Sequence, residues 1–212
     1  VHGKLYVANS GGYRNPNYDR TVSVIDLKTF KEERKIDVAI NLHRCRADKY
    51  GQLWVSSRGD YKEVPSRLYW LKPNAAGQME KGGELEVPVS NMCIVGDSLY
   101  YIGVQWNETS KKNSIEYGIV NVSQHKVLAH SLSIAPEIQS IEMPYGIIVN
   151  PQKKDFYLMD AKNYVSSGEL FHFKADGTFD WRVWTGDIPA EAAFVYRKPQ
   201  LPSEPSQPAE KY

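Results

Sequence analysis

The side chains of this chain that could do chemistry lie in four long segments between hydrophobic runs. The aromatic rings in these segments are Tyr13, Tyr18, Tyr61, Trp106 and Tyr164. The polar groups in or beside the same segments include Asn9, Arg58, Asp60 and Asp160. Flat amphipathic rings next to hydrogen-bonding groups suit stacking on a sugar or on another ring-shaped ligand. The chemistry that these residue types favour is therefore binding.

Bond-making chemistry has little support in the sequence. No Gly-x-Ser-x-Gly, P-loop, His-Glu-x-x-His or Cys-x-x-Cys pattern occurs. Asp60 and Asp160 occupy comparable positions and could help to hold a calcium ion, but the acidic series of a calcium loop does not accompany them. His43 is the histidine expected near the centre of the fold, where a structural role competes with a catalytic one. We predict no catalytic residue, no cofactor and no metal.

A hydrophobic tripeptide that returns along the chain indicates how these segments are positioned. Its first residues are 48, 46 and 57 positions apart, and its members are Leu5-Tyr6-Val7, Leu53-Trp54-Val55, Leu99-Tyr100-Tyr101 and Phe156-Tyr157-Leu158. A repeat of about 40–50 residues built from short β-rich runs is typical of β-propeller blades. The sequence therefore predicts an all-β protein, a β-propeller of four-stranded antiparallel blades with about four blades in this chain.

Each repeat divides into strands at its turn residues. The first blade is predicted as Lys4–Ala8, Thr21–Leu27 and Lys31–Val38, the second as His43–Ala47, Gln52–Ser56, Arg67–Leu71 and Glu84–Val87, the third as Met92–Val95, Leu99–Val104, Tyr117–Val122 and Lys126–Ser133, and the fourth as Gly146–Asn150, Phe156–Asp160, Glu169–Lys174 and Phe179–Trp184. The inner strand of the first blade is missing. We expect residues 188–196, or sequence upstream of this chain, to supply it.

Two further expectations concern domain organisation. Residues 1–197 are predicted to form the propeller blades, and residues 198–212, which contain four prolines, are predicted to be a disordered tail. Rings of six to eight blades are commoner than rings of four, so we expect further blades upstream.

Strand order decides which segments share a surface. Connections from the second to the third strand of a blade emerge on one face, together with the entries to the inner strands. The long segments Asn9–Arg20, Ser57–Ser66, Gln105–Glu116 and Ala161–Gly168 are connections of this kind. Loops on a rigid scaffold commonly carry function. We predict a ligand-binding face formed by Asn9, Tyr13, Tyr18, His43, Arg44, Arg58, Asp60, Tyr61, Trp106, Tyr145, Asp160 and Tyr164.

Composition excludes some classes of partner. The net charge is +1 with 24% charged residues, which argues against nucleic acid because such a partner requires a basic excess. No apolar run approaches the length of about 20 residues that a transmembrane helix needs. Cys45 and Cys93 lie at matching places in consecutive repeats, and we favour two buried thiols over a disulfide because inner strands of adjacent blades lie far apart.

Two stretches of sequence resemble known propellers. Tyr6-Val7-Ala8-Asn9 followed by Val22-Ser23-Val24-Ile25-Asp26 resembles the YVTN-type repeat. The residues Tyr157–Tyr164, with Gly186-Asp187-Ile188-Pro189, are similar to the last blade of the seven-bladed surface lipoprotein propellers of gut anaerobes. This resemblance implies a seven-bladed ring, with about three blades preceding this chain. It also implies a lipid anchor in upstream sequence and a location at the outer membrane surface or in the periplasm.

Some members of that group capture cobalamin on a propeller face, so the resemblance adds a corrinoid to the candidate ligands. Three functions remain open from the sequence. The first is a non-enzymatic extracytoplasmic binding propeller that captures a small molecule or a glycan on the long-loop face. The second is a protein-interaction module of a cell-envelope or transport complex. The third is a metal-dependent lactonase or lyase-type propeller enzyme.

Overall fold

The structure is a computed structural model that describes residues 1–107 and 111–196. Its strands are β1 Lys4–Ala8, β2 Thr21–Asp26, β3 Glu32–Asp37, β4 Leu42–Ala47, β5 Leu53–Ser57, β6 Arg67–Pro73, β7 Met79–Leu85, β8 Val89–Val95, β9 Ser98–Asn107, β10 Lys112–Asn121, β11 Lys126–Ala129, β12 Pro144–Val149, β13 Phe156–Asp160, β14 Ser167–Phe173 and β15 Phe179–Asp187. A short 3₁₀ helix, Pro136–Ser140, precedes β12. The described part of the chain contains no helix long and apolar enough to cross a bilayer.

The strands form four antiparallel sheets in chain order. Sheet 1 is β1–β3, sheet 2 is β4–β7, sheet 3 is β8–β11 and sheet 4 is β12–β15, and each is a simple meander. Sheets of this kind are propeller blades, so the predicted all-β propeller with four blades is confirmed. The seven-bladed ring stays a prediction.

Apolar clusters between consecutive sheets hold the blades together. One cluster joins sheets 1 and 2 through residues such as Val22 and Leu71, and a second joins sheets 2 and 3 around Trp54. A third joins sheets 3 and 4, where Phe171 and Phe173 are fully buried. Because strand side chains alternate between faces, each inner sheet supplies one face to each of two clusters. Neighbouring blades are therefore fixed face to face.

Sheet 1 has three strands, and residues 188–196 form no strand. The latter segment instead passes over sheet 4, where the Phe194 ring contacts the Tyr157 ring at 5.7 Å between centroids. The source of a completing strand for the first blade stays a prediction. The predicted tail, residues 198–212, lies outside the described residues.

The third predicted long loop, Gln105–Glu116, is wrong for Gln105–Asn107 and Lys112–Glu116, which are strand residues, and residues 108–110 lie outside the described residues. β9 and β10 continue as paired strands to Asn107 and from Lys112, with Gln105 opposite Ser114. The side chains at these strand ends are polar, but two paired strands satisfy each other's backbone groups whatever their side chains. Trp106 therefore lies on a strand rather than in a loop.

The outer strand of sheet 2 is also displaced from its predicted range, Glu84–Val87. β7 begins earlier than predicted, at Met79, and it includes Gly82 and Gly83. Both glycines pack on the Trp70 indole. A Cβ atom at either glycine would lie 2.4 Å from that ring. The two glycines indicate close packing here, although glycine in sequence commonly marks a loop.

The two cysteines are free, as favoured from the sequence. Burial raises the pKa of the Cys45 thiol to about 11 and also raises that of Cys93. Both side chains are consequently protonated and unreactive at neutral pH.

Replacing Phe171 by alanine tests the packing of sheet 4 on sheet 3. We expect a loss of about 3–5 kcal/mol in the free energy of unfolding, because the ring is completely buried. Phe30, which is 75% exposed, provides the control, and Phe30→Ala should change stability by less than about 0.5 kcal/mol. Urea denaturation measures both, and equal losses would contradict the proposed core.

Candidate functional site

A cavity of about 630 Å³ opens on one face of the molecule between sheets 2, 3 and 4. Its lining residues come from the second-to-third-strand connections and from the strands beside them. They are Arg44, Arg58, Tyr61, Lys62, Ser66, Val89, Ser90, Val104, Gln105, Trp106, Met143, Pro144, Tyr145 and Tyr164. The volume lies within the range of about 300–1,000 Å³ that is usual for small-molecule sites.

Four aromatic side chains surround the cavity, and each remains between 37% and 53% exposed: Tyr61, Trp106, Tyr145 and Tyr164. Tyr145 and Tyr164 contact each other edge to face, with 5.7 Å between ring centroids and an interplanar angle of 82°. The carbonyl of Tyr145 accepts a hydrogen bond from Asn91 Nδ2 at 2.9 Å, which ties the start of β12 to sheet 3. Rings that are held in place yet partly exposed are suited to stacking on a ligand.

The loop that carries Tyr61 is fixed by its own backbone and by Asp60. Asp60 Oδ1 accepts hydrogen bonds from the backbone amides of Lys62 and Val64, at 2.9 and 2.8 Å. The buried Asn41 side chain donates to the Gly59 carbonyl at 2.9 Å. Backbone hydrogen bonds to Asp60 hold the pKa of its carboxyl below the ordinary value. Asp60 therefore shapes the loop, and it does not line the cavity.

The loop that carries Tyr164 depends on Asp160, which is completely buried. Asp160 Oδ1 accepts from the amides of Met143 and Lys162, at 2.8 and 2.9 Å, and Oδ2 accepts from the Glu142 amide at 3.1 Å. One carboxylate thus joins two lining segments, the entry to β12 and the β13–β14 loop. Its role in the structure is to position Tyr145 and Tyr164.

Tyr61 and Tyr164 occupy equivalent places in their blades. Each lies four residues after the last residue of the second strand, and each has a φ of +64°. The left-handed region is uncommon for bulky residues, costs of the order of 1–3 kcal/mol, and is found disproportionately at binding sites. Two tyrosines with the same strained backbone conformation thus lie at equivalent positions beside one cavity.

Arg58 and His43 form a pair at the rim of the cavity. Arg58 Nη2 lies 3.1 Å from His43 Nε2. Burial, reinforced by the Arg58 cation, lowers the pKa of His43 to about 4. His43 is therefore neutral at pH 7, and its Nε2 accepts the hydrogen bond that orients Arg58. His43 itself is not among the residues that line the cavity.

Arg44 lies between the cavity and the carboxyl-terminal segment. Its Nη1 is 3.2 Å from Glu191 Oε1, and Arg46 Nη2 is 3.6 Å from the same oxygen. The Arg44 Nε is buried without a hydrogen-bond partner among residues 1–107 and 111–196. Two cations thus share one carboxylate.

Six of the twelve predicted site residues are brought together around the cavity: Arg44, Arg58, Tyr61, Trp106, Tyr145 and Tyr164. Asn9 directly follows β1, and its side-chain amide donates to the hydroxyls of Thr21 and Ser23 in sheet 1. Tyr13 and Tyr18 belong to the first long loop, in which Tyr13 is fully exposed and Tyr18 half-buried. With His43, Asp60 and Asp160 serving as supports, these six lie outside the cavity lining. No group of three or more metal-ligating side chains occurs within the described ranges.

Some lining residues were not predicted from the sequence. Ser90 and Val89 begin β8, Gln105 and Val104 lie on the extended β9, and Met143 immediately precedes β12. Their common feature is that they border the entries to inner strands, a signal that identified Tyr145. Lys62 follows Tyr61 directly. It was not predicted because it lies between acidic residues, Asp60 and Glu63, so the segment showed no excess of positive charge.

Comparison with known proteins supports the fold and no family assignment. No family model matches the chain, and no curated protein matches its sequence. Among solved structures, the chain is similar to the hydrazine synthase of Kuenenia stuttgartiensis, with a TM-score of 0.61 and 12% identity over 87% of this chain. The chain spans 46% of the length of that protein. This likeness, to a propeller-like structure, shows the fold alone.

Two further similar structures come from Bacteroides. A protein of unknown function from Bacteroides caccae matches with a TM-score of 0.35 and 9% identity, over 87% of this chain and 78% of that one. A quinoprotein alcohol dehydrogenase-like protein from Bacteroides thetaiotaomicron matches with a TM-score of 0.31 and 13% identity, over 90% and 66%. Neither likeness is close enough to carry an argument.

Gly59→Ala tests the loop that holds Tyr61. Gly59 has a φ of +64°, and an added Cβ would lie 1.9 Å from the Val64 carbonyl oxygen. Gly77, at a φ of +73° with open space around it, is the control for the backbone conformation alone. We expect Gly77→Ala to cost about 1–2 kcal/mol and Gly59→Ala about 1–3 kcal/mol more, measured by chemical denaturation. Equal losses would contradict the described loop.

The lowered pKa of His43 predicts a specific pH dependence of stability. Protonation of His43 favours the unfolded chain, in which its pKa is the ordinary one. The stabilisation that comes from keeping His43 neutral is therefore complete above about pH 6.5 and is lost as the pH falls towards 4. Between pH 7 and 4.5, the free energy of unfolding should fall by about 1–2 kcal/mol more in the wild type than in His43→Gln, since the ring keeps some solvent contact. Urea titrations at both pH values measure this, and parallel losses would show that His43 is not buried as described.

Proposed function

We propose that this chain is a non-enzymatic binding propeller that captures a small molecule or a glycan in the cavity between sheets 2, 3 and 4. The observation that carries the proposal is the convergence of four partly exposed aromatic rings, from three different blades, on one cavity of about 630 Å³. Such rings supply apolar area for stacking at little cost in side-chain entropy. The surrounding loops are held by hydrogen bonds, so the site is preorganised.

The chemistry of the lining favours a ring-bearing ligand with polar substituents. Rings of Tyr61, Trp106 and Tyr164 offer stacking faces, while Gln105 and the arginines offer hydrogen bonds. Ser66 and Ser90 are less available, because their hydroxyls donate to the carbonyls of Ser57 and Ile102 within the fold. A saccharide or a planar macrocycle satisfies this combination.

An extracytoplasmic location, with a lipid anchor in upstream sequence, belongs to the same proposal and is supported by the resemblance of the last blade to surface lipoprotein propellers. That resemblance also places a corrinoid such as cobalamin among the ligands to be tested. A protein partner from the cell envelope is the second candidate function, favoured by the complete exposure of Tyr13 in the first long loop.

Trp106→Ala tests the proposed site, with Trp181→Ala as the control. The two indoles are almost equally exposed, at 43% and 41%, but only Trp106 lines the cavity. The ligand panel is cyanocobalamin, neutral oligosaccharides and acidic oligosaccharides, with binding measured by isothermal titration calorimetry. We expect at least one member to bind, and Trp106→Ala to weaken it about five- to tenfold through the lost stacking, while Trp181→Ala leaves it unchanged.

Failure of the whole panel to bind would contradict the small-ligand proposal and favour the envelope protein. Equal weakening by the two tryptophan variants would place the ligand outside this cavity.

A further inference from the structure

The cavity carries an imbalance of charge that its aromatic character does not explain. Three of its lining residues are cationic: Arg44, Arg58 and Lys62. None of the described residues that line it is acidic. This contrasts with the chain as a whole, where 26 basic residues nearly balance 25 acidic ones. The described lining of the cavity is therefore positive, although the chain as a whole is almost neutral.

The partners of these cations leave much of that charge uncompensated. Arg58 is hydrogen-bonded to His43, a neutral imidazole at pH 7, and within the described ranges it makes no ion pair. Arg44 shares its only described carboxylate, Glu191, with Arg46. Lys62 is exposed at the mouth of the cavity, again without an ion pair in the described part of the chain. Asp60, a carboxylate of the loop that carries Tyr61, accepts hydrogen bonds from backbone amides and does not line the cavity.

We propose that the ligand of this cavity is an anion, a ring-bearing carboxylate whose ring stacks on the cavity aromatics and whose acid group pairs with Arg58 and Lys62. The inference rests on the proposed binding function and narrows its ligand class. A half-buried guanidinium presents a planar fork that matches a carboxylate with two parallel hydrogen bonds. His43 acts as a positioning residue, because its neutral Nε2 orients this fork without neutralising it.

Two sources supply this ligand chemistry, and the arrangement of charges and rings suits both. One is a uronic-acid oligosaccharide, whose pyranose faces stack on tyrosine and tryptophan. The other is an aromatic carboxylate, whose planar ring stacks on the same side chains. Both share a carboxylate attached directly to a ring, and neutral sugars lack the group that the cations recognise.

The test compares each acid with a neutral form of the same shape. The probes are trigalacturonic acid and its methyl ester, and 2-naphthoate and 2-naphthamide, measured by calorimetry on the full chain at low and at 150 mM salt. We expect one of the acids to bind at least about tenfold more tightly than its neutral form, with an advantage that shrinks as salt screens the charges. The acid that binds identifies the source of the carboxylate.

Variants then locate the charge effect. Arg58→Gln should weaken acid binding about tenfold, and Lys62→Gln, which is exposed and safe for folding, about two- to fivefold. Both variants should weaken binding of the neutral forms less than they weaken binding of the acids, because a neutral ligand can lose a hydrogen bond to these side chains but no charge pairing. Arg14→Gln is the control, because Arg14 is exposed on the first long loop and does not line the cavity. A thermal melt checks that each variant is folded.

Equal binding of acid and neutral forms, or binding by neutral members only, would overturn the inference and leave the proposed binding function intact. Acid binding that Arg14→Gln weakens as much as Arg58→Gln and Lys62→Gln would also overturn it, since the effect would then come from net charge. If none of the four probes binds, the inference is overturned as well. Binding of cyanocobalamin or a neutral sugar in that case would show that the proposed function survives.

Discussion

Face-to-face packing of consecutive β-sheets is the constraint on which the rest of this structure depends. Each of the three apolar clusters is shared by two blades, so no blade can rotate without opening a buried interface. Burial of apolar surface is the main favourable term in folding, and it fixes the blades here. The loops that form the cavity come from three sheets, and only this packing sets the distances between them.

Hydrogen bonds to buried or half-buried carboxylates then fix the loops that the apolar core brings together. Asp160 is fully buried. Its carboxylate accepts hydrogen bonds from three backbone amides, which belong to the two segments that lead to Tyr145 and Tyr164. Asp60 does the same within the loop of Tyr61. A buried carboxylate is tolerable when hydrogen bonds satisfy it, and such bonds are stronger than those between neutral groups. The aspartates are consequently structural supports of the loops that border the cavity.

The fold was readable from the sequence because its signal is repeated. A hydrophobic tripeptide at blade spacing predicted the sheets, and strand order predicted the face on which the long connections emerge. Local errors arose where a residue type has two meanings. Gly82 and Gly83 precede the predicted strand Glu84–Val87 but are themselves strand residues packed on Trp70, and Gln105 was predicted in a loop but is paired with Ser114.

The site was less readable, because side-chain direction depends on contacts that no spacing encodes. Asp60 and Asp160 look like ligand-binding groups in sequence, yet both turn inwards to backbone amides. Tyr13 and Tyr18 are of the residue type expected in a binding site. They lie, however, in the loop between β1 and β2 of sheet 1, which does not contribute to the cavity. Lys62 and Gln105 were recognised as lining residues only from the three-dimensional structure, which brings segments of three sheets together.

The central claim is that aromatic rings from three blades and cations from sheet 2 form one binding cavity. A crystal structure of the chain with the acidic ligand that binds most tightly tests it most directly. We predict ligand density between Tyr61, Trp106 and Tyr164, with an acidic group within hydrogen-bond distance of Arg58. Density on the opposite face, or at the first long loop with this cavity empty, would contradict the account.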